Sequence, residues 1–258
     1  MKTKPTTNNP WSCSRYSYLY EVLRKKDNNI HMDYGCFNGE ILKKLMKSGI
    51  ISLGVGIDKN TQALKEANDD KAGCSFFHVD HVEQIPQVVN GVVFNGVSVL
   101  DVLEHVYDQD ALLQNIRKVM DPDGVLVVTV PKKSVFSFLD LGNWKFVFPV
   151  VHKYYYVLRF SRSEYEKRYI VCADGLVGDV EKEKRWHQHF SVHELEELLG
   201  RNGFEVIDVD GSGFFVRPIS IIKLIIPINF VKSFLDRLIN IDACAFSSSN
   251  LFVTAKVR

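Results

Sequence analysis

Two acids each close a short apolar run in the place where a nucleotide-like ligand would need them. Residues 30–39, Ile-His-Met-Asp-Tyr-Gly-Cys-Phe-Asn-Gly, read as a strand ending on Asp33, a tight loop bounded by Gly35 and Gly39, and a helix starting at Glu40. Neither glycine has a Cβ to hold a ligand away from the backbone. Some twenty residues later Leu53-Gly54-Val55-Gly56-Ile57-Asp58 is a second apolar strand ending in an acid. A carboxylate there can accept hydrogen bonds from both hydroxyls of a ribose. A nicotinamide site would want the G-x-G-x-x-G spacing, whereas this loop has G-x-x-x-G.

The histidines are the other candidates for chemistry. His105 lies just past the end of a fourth apolar run, Gly96 to Leu100, where an imidazole could take a proton from a nucleophile or simply orient the loop. His187 and His189 flank Gln188, and His193 follows. Spacings of two and four with no cysteine nearby match no known zinc pattern, so the expectation is no metal and one of these histidines facing a substrate.

The elements that must carry these residues alternate. Trp11 to Lys26 places Tyr16, Leu19, Tyr20 and Leu23 on one helical face, to cover a sheet edge or to close over a ligand. Glu40 to Lys47 presents Ile41, Leu42, Leu45 and Met46, and Asn60-Thr61 caps a helix running through Ala67. Ser75 to Val79 and Gly96 to Leu100 are strands, the latter ending at Asp101; a helix follows from Asp108 to Met120. Asp121-Pro122-Asp123-Gly124 is a turn by composition, and Val125 to Val130 is a strand closed by Pro131. Later come a helix from Ser191 to Arg201 with Glu194 at the capping-box position, a strand from Phe204 to Val209, an apolar stretch at 219–240 broken by Pro227, and a last strand from Leu251 to Val257. Alternation of strand and helix predicts an α/β, Rossmann-like, doubly wound and mostly parallel sheet.

The 258 residues are expected to form one domain, with a core at about 11–131 and 190–258, an aromatic-rich insertion or cap at about 132–189, and an apolar helical excursion at about 217–240. Lys+Arg 32 against Asp+Glu 31 argues against nucleic acid as the main partner. The five cysteines are far apart and odd in number, which suggests free thiols, and the polar first residues carry no signal-peptide pattern, so the expected location is cytoplasmic.

Several motifs in register resemble those of the class I S-adenosylmethionine-dependent methyltransferases. They are Asp33-Tyr34-Gly35-Cys36-Phe37-Asn38-Gly39, Gly56-Ile57-Asp58, Asp80, Leu100-Asp101-Val102-Leu103-Glu104-His105-Val106 and Met120-Asp121-Pro122-Asp123-Gly124-Val125-Leu126. Trp186-His187-Gln188-His189-Phe190-Ser191 through Glu194-Leu195, and Gly203-Phe204, look like the helix and strand common in small-molecule members. The resemblance implies a seven-stranded sheet with an antiparallel last strand, S-adenosylmethionine as cofactor, and methylation of a small-molecule acceptor, expected at oxygen. It also implies site roles. Backbone at Gly35, Cys36 and Gly39 would wrap the amino-acid part, with Asp33 reaching its ammonium; Asp58 would hold the ribose and Lys59 would lie beside the adenine. Asp80, with the His81 backbone, would meet the adenine amino group, and Asp101, Val102 and Leu103 would line the sulfonium side. His105 or His187 would be the base for a hydroxyl acceptor. The family's usual middle glycine of the first loop is Phe37 here.

Two segments carry double readings. Trp144 and Tyr154-Tyr155-Tyr156 either pack a cap or wall an apolar substrate. Ile219 to Phe230 is read first as a buried cap helix, and second, with Lys223, Lys232 and Arg237 at intervals, as a peripheral membrane contact for an enzyme acting on a lipid or lipid-linked glycan. A non-catalytic methyltransferase-like binding module is the remaining alternative.

Overall fold

The computed structural model describes residues 10–25, 29–140, 143, 148–166 and 187–258, with residues 10–14 described by backbone alone. Trp144, Phe146, Trp186 and the charged run up to Arg185 lie outside these residues. Helices and strands alternate through α1 (Pro10–Leu23), β1 (Asn29–Tyr34), α2 (Glu40–Lys47), β2 (Ile51–Asp58), α3 (Thr61–Asp69) and β3 (Cys74–His78). They continue through α4 (Ile85–Val88), β4 (Phe94–Leu100), α5 (Gln109–Lys118) and β5 (Met120–Pro131). After these come α6 (Pro149–Arg159), α7 (Arg162–Glu166), α8 (Val192–Arg201), β6 (Phe204–Ser212), α9 (Val216–Ile225), α10 (Asn229–Ala245) and β7 (Asn250–Val257).

Local chemistry sets the helix starts. The Asn60 side chain accepts from Ala63 N at 2.9 Å, Asp108 accepts from Ala111 N at 2.8 Å, and Ser191 and Glu194 form the expected capping box. The seven strands form one sheet in the order β3-β2-β1-β4-β5-β7-β6. Strands β1 to β5 pair in parallel, as the alternation of strand and helix predicts, while β7 runs antiparallel to both β5 and β6, as the family resemblance implies. The order reverses between β1 and β4, so loops leaving their C-terminal ends diverge and leave a crevice.

Both faces are covered. Tyr16, Leu19 and Leu23 of α1 pack with Leu42, Leu45 and Leu64 on one side, and Leu112, Ile116, Leu195 and Leu198 pack with Met32, Val97 and Val128 on the other. The insertion leaves and returns at one place: Phe190 N donates to Pro131 O at 2.9 Å and Lys133 N to Phe190 O at 2.8 Å. His187 and His189 are thereby brought to the C-terminal edge of the sheet.

Two expectations are corrected. Residues 121–124 are not a turn ahead of a strand but lie within β5, bulging from the ladder between the pairs Phe94–Met120 and Gly96–Val125. The turn chemistry survives inside the bulge, where Asp123 N donates to Asp121 Oδ1 at 2.8 Å. The stretch Ile219 to Phe230 is not a buried cap, for none of its residues is buried. Helices α9 and α10, which part around Pro227, pack on one another, and their outer sides stay open: Ile225 is 72% exposed and Phe230 is 82% exposed. Among the described residues no helix is long and apolar enough to cross a membrane.

Candidate active site

Asp33, the last polar residue of β1, is 3% exposed. The register sets it opposite Ser98 of β4, whose hydroxyl donates to Asp33 Oδ1 at 2.6 Å. Because Ser98 spends its proton on Asp33, His31 Nε2, 2.9 Å from Ser98 Oγ, must be the donor of that second bond. Burial pulls the His31 imidazole down to about 3, which keeps it neutral, and pushes the Asp33 carboxyl up to about 7 against the Ser98 hydrogen bond. Asp33 is therefore a buried acid with less positive charge beside it than its ionised form calls for.

The loop after it is left-handed at Gly35 (φ 83), Phe37 (φ 50) and Gly39 (φ 72). The two glycines answer to the protein's own packing as well as to any ligand. A Cβ on Gly35 would stand 2.2 Å from Val102 Cγ2, and one on Gly39 would stand 2.4 Å from Phe76 Cε1. Phe37 takes the unusual backbone conformation without being glycine, and its N–H donates to Asp58 Oδ2 at 2.7 Å. Its ring stays 43% exposed. The buried Cys36 thiol is pushed up by burial.

Asp58 ties β2 to the loop, since its other oxygen accepts from Asn60 N at 2.7 Å. Each carboxylate oxygen keeps a second lone pair for a ligand. Beside it the Lys59 carbonyl lies 3.1 Å from His78 Nε2, and His78 reaches Asp80 at 3.4 Å. Asp80 and His81 are exposed, and their N–H groups both donate to Gln84 Oε1 at 3.1 Å.

At the end of β4, Asp101 has φ 52, a conformation that costs a non-glycine residue about 1–3 kcal/mol. Three groups hold it there. Thr129 Oγ1 donates to Asp101 Oδ1 at 2.6 Å, Asp101 N donates to the Thr129 carbonyl at 2.9 Å, and Arg15 of α1 pairs with Oδ2 at 2.8 Å. The turn sends the chain into one 3-10 turn, Leu103–His105, with Leu103 and Glu104 buried.

The two candidate bases meet here: the His105 and His187 rings are 4.7 Å apart between centroids. His187 Nδ1 lies 2.6 Å from Asp140 Oδ2, and that oxygen is also 2.6 Å from His189 Nε2. Asn143 fixes the His187 backbone, accepting from its N–H at 2.7 Å and donating to its carbonyl at 3.1 Å. Burial would lower the His187 pKa, but Asp140 and Glu104 outweigh it and raise the imidazole to about 9. His193 points elsewhere, 3.5 Å from Glu197 on α8.

Sequence reasoning missed Arg15, Ser98, Thr129, Glu104 and Asp140 as members of this site. Glu104 had a readable signal, an acid inside the apolar run from Leu100 to Val106. Asp140, in the aromatic stretch, had none.

A doubly wound sheet with its last strand antiparallel, carrying a glycine loop and acids at the ends of β1, β2 and β4, defines a class I S-adenosylmethionine-dependent methyltransferase. Residues 14–209 match the family described as "Methyltransferase domain", and the chain belongs to it. It is 23% identical over 184 residues to the ubiquinone biosynthesis O-methyltransferase of Azorhizobium caulinodans, covering 71% of this chain and 61% of that one. With the mitochondrial ubiquinone biosynthesis O-methyltransferase of Bos taurus it shares 27% identity over 189 residues, 70% of this chain and 42% of the other. The chain thus spans less than two thirds of these curated relatives. Its fold matches that of the plantazolicin methyltransferase BamL, solved with S-adenosylhomocysteine, at a TM-score of 0.55 and 13% identity, over 96% of this chain and 84% of BamL.

Proposed function

We propose that the chain methylates an oxygen of a small-molecule acceptor, using S-adenosylmethionine. The observation that carries this reading is the convergence of His105 and His187 beside the Asp101 turn, which sets a proton-accepting group next to the crevice that would hold the cofactor. The curated relatives, both ubiquinone biosynthesis O-methyltransferases, support an oxygen acceptor.

The residues present fit the cofactor's chemistry. Asp33, buried and short of positive charge, suits an ammonium, with backbone at Gly35, Cys36 and Gly39 around it. Asp58 would take the ribose hydroxyls, Lys59, Asp80 and His81 would border the adenine, and Asp101, Val102 and Leu103 would face the methionine end. When bound, S-adenosylmethionine supplies an electrophilic methyl group. The chain's own tasks are to align the acceptor, exclude water and remove the hydroxyl proton as the new O–C bond forms. His187, held as an imidazolium near neutral pH between Asp140 and Glu104, is a poor base there, so the proton falls to His105.

Isothermal titration with S-adenosylmethionine tests the reading: binding in the micromolar range is expected, and no binding at millimolar concentration would sink it. Binding without turnover on a broad hydroxyl-acceptor panel would favour a non-catalytic module. A second reading places the acceptor at a lipid surface from the cytoplasmic side, and it draws on the exposed apolar side of α9 and α10.

A further inference from the structure

We propose that His31 and Ser98 are positioning residues for the cofactor, forming a hydrogen-bonded row that presents Asp33 to the ammonium as a carboxylate. Their role rests on the reading of Asp33 as the ammonium's partner. Strand register builds the row: Asp33 of β1 stands opposite Ser98 of β4, and His31, two residues earlier and so on the same face, stands opposite Gly96. His31 Nε2 lies 2.9 Å from Ser98 Oγ, which donates to Asp33 Oδ1 at 2.6 Å. An imidazole donating to the hydroxyl polarises its O–H bond and keeps it from rotating away from the acid. Among the described residues no group hydrogen-bonds Asp33 Oδ2, which leaves that oxygen for a ligand.

The imidazole is costly where it stands, and packing does not require it. With its proton on Nε2, its Nδ1 is an acceptor, and that nitrogen is buried without a hydrogen-bond partner among the described residues. A glycine makes room for the ring: a Cβ on Gly96 would stand 2.8 Å from His31 Nδ1 and 3.0 Å from Leu23 Cδ2. An aliphatic side chain in place of the imidazole would lie against Leu23 with no orphaned nitrogen. The hydrogen bond that His31 does make goes to the residue that serves Asp33.

The charges around Asp33 show what the row supplies. Asp58 of β2 opposes a second negative charge, and Arg15 of α1 favours one, but the Arg15 guanidinium already pairs with Asp101 at 2.8 Å. The Cys36 thiol of the loop, pushed up by burial, stays neutral, as does His31. Burial pushes the Asp33 carboxyl up to about 7, and the Ser98 hydrogen bond is the largest influence drawing it back down. Without that bond the acid would hold its proton further into the neutral range, where it offers an ammonium no charge.

The affinity of the full chain for S-adenosylmethionine is measured by isothermal titration from pH 6 to pH 9 for the parent, Ser98→Ala, Ser98→Thr and His31→Leu. The cofactor's own amino group titrates alike in every case, so the ratio of variant to parent isolates the protein. Ser98→Ala should bind about tenfold more weakly at pH 6, as a rise of about one pH unit in the acid's midpoint requires, and within about twofold of the parent at pH 9. His31→Leu should follow the same profile at about threefold while unfolding in urea at or above the parent's midpoint, because it removes the orphaned nitrogen. Ser98→Thr, which keeps the hydroxyl, should restore the parent profile. Weakening that is equal at every pH, or parent-like affinity in both Ser98→Ala and His31→Leu, overturns the positioning role. Should Ser98→Ala fail to fold, His31→Leu decides. No binding by the parent at millimolar concentration overturns the methyl-transfer reading and this role with it, whereas parent binding with unaltered variant profiles overturns this role alone.

Discussion

As the proposed partner of the cofactor's ammonium, Asp33 would couple cofactor binding to pH. Its carboxyl, pushed up to about 7 by burial, keeps its proton in the folded chain over a range where an unfolded chain, with a value of 3.8, has lost it. Its contribution to stability is therefore full below about pH 4 and is lost as pH rises through about 7. His31 has the opposite sign: lowered to about 3 from 6.5, its contribution is full above about 6.5 and is lost as pH falls through about 3. The two slopes offset one another in the free protein. An ammonium beside Asp33 would favour the ionised acid, so S-adenosylmethionine binding at pH 6 should release up to one proton, and at pH 8.5 close to none. Titrations in buffers of different ionisation enthalpy read this directly. Asp33→Asn should abolish the pH-dependent release, and release that persists in this variant would remove Asp33 from the ammonium site.

At the scale of elements, α1 acts as a clamp on the turn after β4. Its apolar side buries Tyr16, Leu19 and Leu23 against the sheet, and this carries Arg15 to Asp101 and, at 3.5 Å, to the Leu100 carbonyl. The Arg15 and Asp101 side chains are 19% and 26% exposed, so their pairing is less screened than a surface ion pair. Removing the guanidinium leaves a mostly buried carboxylate short of its partner on a residue already in the left-handed region. Arg15→Ala should cost about 1–3 kcal/mol in urea unfolding and weaken S-adenosylmethionine binding several-fold. Parent-like stability with parent-like affinity would mean that Thr129 alone holds the turn.

At the scale of the molecule, the apolar excursion is the feature that packing leaves unfinished. Ile225, Ile228, Phe230 and Phe234 are 72%, 57%, 82% and 53% exposed, and α6 adds Tyr154 and Leu158 at 72% and 76%. Burying one such side chain is worth about 1.5–3 kcal/mol, enough for a few to hold a chain on a bilayer. Co-sedimentation with vesicles containing anionic lipid is expected for the parent and should fall several-fold for Ile225→Asp. Equal sedimentation of parent and variant, or none for either, would discard the membrane reading.

The sequence by itself determined the sheet, because periodicity, caps and strand-end acids are local signals. Asn60, Asp108 and Ser191 cap their helices as read, Asp58 closes β2, Asp101 directly follows β4, and Asp33 stands one residue before the end of β1 at Tyr34. It could not show that 121–124 would be drawn into β5, because a bulge is defined by the neighbouring strand. The burial of 219–230 was equally out of reach, since apolar composition does not say whether another element will cover it. The histidine cluster was the least legible part. His187 and His105 are 82 positions apart in the chain, and Asp140 comes from a third stretch with no marking pattern. Their meeting depends on the Phe190–Pro131 hydrogen bond that returns the insertion to the end of β5, a contact between distant backbone groups that only the tertiary structure decides.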